Sequence, residues 1–176
     1  MRWDELTADP AKLTLAQALV PLSARRGWNT DTLRLAANSA CGAAEAWRLH
    51  FPRGARDAIW FISEISDASM AAVFEISPAS NIAEVIGERL QQNSELKPFV
   101  FRVMSFDMLH PFQAITRMQR TAHVMRHCLA PDAKAPGTTL LNWTYTFVVF
   151  VWLCDRTRGG ALTMRLNRFL MRCIGG

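Results

Sequence analysis

The chain has 176 residues, half of them apolar and 20% charged, with 20 basic residues against 15 acidic ones. That supply of apolar side chains is enough for one ordinary core, or for a small module joined to a larger one, and it excludes a disordered chain; four scattered cysteines exclude a disulfide scaffold. The net charge of +5 suits nucleic acid, an anionic membrane surface or an acidic partner equally well.

The first residues carry Asp4, Glu5 and Asp9 and no apolar run, which is the pattern of neither a secretory signal nor an acid-poor transit peptide. The expectation is a protein that stays in the cytoplasm. Cys41, Cys128, Cys154 and Cys173 show no CxxC spacing, so reduced and buried thiols are expected rather than a zinc or redox site.

Turn signals at Gly27, Gly42, Pro52, Ser77-Pro78, Pro98, Pro111, Pro131, Pro136-Gly137 and Gly159-Gly160 divide the chain into helix-length pieces. Between them apolar residues recur at spacings of three and four. Leu13, Ala16, Ala18, Leu19 and Leu22 form one stripe, and Leu33, Ala36, Ala37 and Ala40 a second. Ala58, Ile59, Phe61, Ile62, Ile65, Ala68 and Met70 form a third. The fold class this predicts is all-α. Asn29 or Thr30 is placed to cap the second helix, and Asn81 the helix after it with Glu84 at the capping-box position.

Three short helices in residues 11–51 match the plan of a helix-turn-helix unit, with a second helix at 30–40, a turn at 41–43 and a would-be recognition helix at 44–50. The chemistry disfavours DNA reading. That last helix opens on Ala43, Ala44, Glu45 and Ala46, which offer no bidentate donor to base edges, and Glu45 has the wrong sign for phosphate. Arg48, His50 and Arg53, with Arg25 and Arg26, are the remaining candidates for backbone contact.

Gly27-Trp28, Leu33-Arg34, Ala36-Ala37, Ala40, Arg48, Phe51-Pro52, Gly54, Asp57, Ile59, Phe61, Ser63, Asp67 and Met70 resemble, without a gap, the amino-terminal half of the Coq-nine family of ubiquinone-biosynthesis accessory proteins. The resemblance covers residues 27–70. It returns at 86–90, 120–121, 152–157 and 169–174. It implies a TetR-like helical fold in two modules. Residues 1–56 would be a helix-turn-helix-like module that no longer reads DNA, and 57–176 a helical domain for lipid binding and dimerisation. The implied partners are an isoprenoid quinone precursor and the demethoxyubiquinone hydroxylase, and the implied state is a homodimer without turnover of its own.

Residues 96–125 are rich in flexible thioethers and aromatic rings, which suit irregular apolar guests as well as an ordinary core. With the uncharged stretch 138–154 they supply the candidate lipid contacts Phe99, Val103, Met104, Phe106, Met118, Met125, Trp143, Phe147 and Phe150. The uncharged stretch has seventeen residues, short of the roughly twenty that span a bilayer, and is expected to be a buried core helix. No catalytic constellation, phosphate loop or cofactor motif is visible. His123 and His127 lack a third ligand and are read as surface histidines.

Two departures from the Coq-nine pattern stand out. Its acidic and aromatic partner-binding stretch has no gap-free match near 131–140, and no counterpart of its extra amphipathic membrane-touching helix follows Ile174. Membrane contact is therefore expected from Arg165, Arg168 and Arg172, with Leu166, Phe169 and Leu170 opposite, which would put the protein at the periphery of the inner membrane. Two alternatives remain: a TetR-type, ligand-responsive transcriptional regulator, and a dimerisation module that has lost both activities.

Overall fold

A computed structural model describes residues 9–174. The reading of the first residues, including Asp4 and Glu5, and the terminal Gly175 and Gly176 lie outside them. Among the described residues nine α-helices form and no strand, so the all-α expectation holds. They are α1 (Pro10–Arg26), α2 (Thr30–Cys41), α3 (Trp47–His50), α4 (Ala55–Phe74), α5 (Ile82–Gln92), α6 (Lys97–Leu109), α7 (Pro111–His127), α8 (Thr138–Cys154) and α9 (Ala161–Ile174).

The helix ends follow from local chemistry. Asp9 accepts from Lys12 N at 2.9 Å to cap α1, and Asn29 accepts from Thr32 N at 2.8 Å to cap α2. Asn81 caps α5 through Glu84 N, but Glu84 does not return to Asn81. Its carboxylate accepts from the backbone N and the hydroxyl of Ser80, both at 3.1 Å, so the box closes one residue earlier than its sequence pattern suggests.

Gly42 ends α2 in the left-handed region, φ 69 and ψ 6, and donates to Asn38 O at 3.0 Å. A Cβ there meets no neighbour, so the strain of an alanine is purely conformational. Gly42→Ala is expected to lower stability by about 1 kcal/mol, and Gly42→Asn by less, in urea unfolding.

The chain divides into two compact units that are discontinuous in sequence and do not coincide with the segments 1–56 and 57–176. Among the described residues the first comprises 9–69 and 95–114, the second 70–94 and 115–174. In the first unit α1 packs on α2 and α6. Its core holds Leu13, Leu15, Ala16 and Leu19 from α1, Leu33, Ala36 and Ala37 from α2, Trp47, Phe51, and Ala58, Phe61, Ile62 and Ile65 from α4. The stripes read for α2 and α4 are buried except at Ala40 and Ala68, which are partly so. On α1, Leu15 and Val20 are buried where Ala18 and Leu22 are only partly so.

In the second unit α9 packs on α5 and α8. Its buried residues include Val85, Ile86 and Leu90 of α5, Met125 of α7, and Leu141, Val148 and Trp152 of α8. A short parallel bridge joins the segment before α5 to the segment after α7: Ala79 N donates to Cys128 O at 2.8 Å and Ala130 N to Ala79 O at 3.0 Å.

Two expectations are corrected here. Segment 138–154 is helical as read, but it is not a buried core helix, because Leu140, Trp143, Phe147 and Phe150 are exposed. Of the thiols, Cys128 alone is buried, while Cys41, Cys154 and Cys173 face solvent on helix sides that no described element covers.

Candidate functional site

Of the three short helices read in 11–51, α1 and α2 form, with α2 running on through Cys41, which was read as part of the turn. Residues 43–46 form a turn, and α3 is one turn of helix, Trp47–His50, rather than the expected 44–50. Trp47 and Phe51 are drawn into the core and hold this segment in place. Lys12 lies 4.6 Å over the Phe61 ring and 5.6 Å from that of Phe51, so this cation is committed inward.

Glu45 organises the surface of the turn. It accepts from Arg34 Nε at 2.8 Å and from Arg48 Nε at 2.7 Å. The hydrogen bond from Arg48, then that from Arg34, holds its carboxyl below the usual carboxylate range. Arg48, one of the cations read as candidates for a phosphate backbone, is thereby paired within the chain. Arg53 is engaged too, donating from N and Nε to Asp57, each at 2.8 Å.

The nine candidate lipid contacts fall in both units. In the first, Phe99 is buried and meets Trp28 edge-on with ring centroids 5.7 Å apart, and Val103 packs on the same core. Met104 is half-buried, and Phe106 stacks on His110 at 4.1 Å. In the second, Met125 is fully buried and Met118 lies 3.8 Å from the Thr146 hydroxyl. Trp143, Phe147 and Phe150 are exposed on α8.

The last helix buries two polar residues that its apolar pattern does not single out. Thr163, Asn167 and Met171, four residues apart, are its buried residues, while Leu162 and Phe169 are exposed. Leu166 and Leu170 are half-buried, and Arg165, Arg168 and Arg172 are exposed as expected. Hydrogen bonding makes this possible. The buried Asp155 carboxylate accepts from Thr163 N at 2.8 Å and Thr163 Oγ1 at 2.7 Å, and Asn167 Nδ2 donates to Ala83 O at 2.8 Å.

His123 and His127 are exposed with ring centroids 4.3 Å apart, and no group of three metal-ligand residues forms among the described residues. No described helix is long and apolar enough to cross a membrane.

The helix order and the three-helix opening define an all-α, TetR-like fold. The chain is similar to the solved structure of a TetR transcriptional regulator from Nitrosomonas europaea, with a TM-score of 0.72 over 94% of this chain and 98% of that one. Identity is 19%, so what the two share is the fold. No family model and no curated protein sequence matches the chain.

Proposed function

We propose that this chain is a carrier that keeps the TetR-like fold without its DNA-reading role. It would bind a hydrophobic quinone precursor and assist ubiquinone synthesis by presenting it to a membrane-associated hydroxylase, as its resemblance to Coq-nine proteins over residues 27–70 implies. The observation that carries the reading is Glu45, which pairs with Arg34 and Arg48 in the turn where a repressor needs free donors. The apolar residues of α7 and α8 support the lipid part, and the arginines of α9 support contact with an anionic membrane.

Native mass spectrometry of the protein purified from a quinone-producing host is expected to show a retained lipid. A chain that repeatedly emerges empty would count against the carrier reading.

The fold likeness to the Nitrosomonas europaea regulator favours a second reading, a ligand-responsive transcriptional regulator. The two part on a titration with genomic fragments at two salt concentrations. The carrier is expected to bind no fragment selectively. Glu45→Gln, which releases Arg34 and Arg48, is expected to gain only weak, steeply salt-dependent and unselective binding. Selective binding by the wild type would make it a regulator.

A further inference from the structure

The second unit holds an open cleft of about 460 Å³ lined by Ser80, Asn81, Ile82, Ala83, Lys134, Arg168, Met171 and Arg172. Three segments meet there, and each is tied in place. The bridge at Ala79 sets the start of α5 beside the segment after α7. That segment is held again by Arg126, whose Nη1 donates to Pro136 O at 2.9 Å. The bond from Asn167 to Ala83 O fastens α9 to the first turn of α5.

The cleft is strongly positive. Lys134, Arg168 and Arg172 line it, and none of them is ion-paired with a described residue. Arg168 and Arg172 are one helical turn apart, a like-charge spacing that costs the isolated helix a few tenths of a kcal/mol. Beneath them the backbone amides of Ile82 and Ala83 are the first two of α5, where exposed N–H groups and the helix dipole favour an anion. The carboxylate of Glu84, which lines an adjoining cavity, is turned onto Ser80.

An adjoining cavity of about 240 Å³ shares Asn81, Ala83 and Arg168 and is also lined by Asn167. Asn167 is 1% exposed, its amide nitrogen donates to Ala83 O, and its Oδ1 is buried.

We propose that this cleft binds a phosphate ester, with the phosphate on Lys134, Arg168, Arg172 and the α5 amides. The inference shares Arg168 and Arg172 with the membrane contact of the carrier reading but requires no quinone, and it holds for a regulator of this fold as well. Glycerol phosphate has this chemistry both as a free metabolite and as the headgroup of an anionic lipid.

The test uses the full chain with two probes: soluble glycerol 3-phosphate, followed by calorimetry, and phosphatidylglycerol vesicles against phosphatidylcholine vesicles, followed by cosedimentation. At least one probe is expected to bind. Arg168→Gln/Arg172→Gln, and separately Lys134→Gln, are expected to weaken it by roughly tenfold or more. Arg158→Gln, in the same unit but outside the cleft, is expected to leave binding unchanged. Binding of the soluble ester alone identifies a metabolite, and binding of the vesicles identifies a headgroup. If neither probe binds the wild type, or if the folded cleft variants bind as the wild type does, the proposal is overturned.

Discussion

Replacing Asp155 with alanine is expected to destabilise the second unit by about 3–5 kcal/mol, because four hydrogen bonds to one buried carboxylate disappear together. Asp155 accepts from Thr157 N at 2.8 Å, Thr157 Oγ1 at 2.6 Å, Thr163 N at 2.8 Å and Thr163 Oγ1 at 2.7 Å. Thr163 N belongs to the first turn of α9, so the carboxylate caps that helix from six residues before its start and lies at the favourable end of its dipole. Gly159 and Gly160, at φ 65 and φ 67, let the chain reverse tightly enough for the contact. Without Asp155, buried Thr163 has no partner for either of its donors. Urea unfolding should show the loss, and Thr163→Val, which keeps the backbone bond, should cost less.

The same group sets a pH dependence. The Thr157 hydroxyl and then the bonds from Thr163 outweigh the cost of burial and hold the Asp155 carboxyl well below the usual carboxylate range. Its folded-state pKa therefore lies beneath its unfolded value of about 4. A depressed carboxyl contributes stability that is fully present above the unfolded pKa and is lost as pH falls through the folded one. The urea midpoint of the wild type should drop as pH is lowered below about 4, and that of Asp155→Asn should drop less steeply.

The contrast between α2 or α4 and α9 marks what was legible in the sequence. Stripes on α2 and α4 could be read because each residue's burial follows helical period alone, and the caps at Asn29 and Asn81 because they act within three residues. On α9 helical period showed Leu166, Phe169 and Leu170 as an apolar side for membrane contact but gave no sign that the residues buried in the chain are Thr163 and Asn167. Their partners, Asp155 and Ala83, are 8 and 84 residues away, and period carries no information about them. Asp155-Arg156-Thr157 was a local signal of a side-chain turn that could have been noticed. The shortness of α3 also escaped, since Glu45 reaches across to Arg34 from a neighbouring helix. The cationic cleft is of the same kind: Lys134 and Arg172 become neighbours through the Ala79 bridge and the Asn167 bond, not through spacing.

The exposed residues of α8 lead to the second large effect. Leu140, Trp143, Phe147, Phe150 and Cys154 follow one another at intervals of three and four, the spacing of a helix–helix seam, and all five are exposed in the single chain. Leu162, Phe169 and Cys173 on α9 are exposed as well. In the proposed homodimer a second copy of the chain would cover this apolar surface. On the reading of this protein as a homodimer, Phe147→Glu/Phe150→Glu places unpaired carboxylates in the seam and is expected to weaken association by three orders of magnitude or more, about 4 kcal/mol. Both residues are at least half exposed, 50% and 57%, so the variant should keep its far-UV circular dichroism while sedimenting as a monomer. Trp152, 3% exposed, separates packing from assembly. Trp152→Ala should cost about 3–5 kcal/mol of folding stability whatever the oligomeric state. A wild-type chain that already sediments as a monomer would leave the α8 stripe to some other partner and remove the homodimer from the reading.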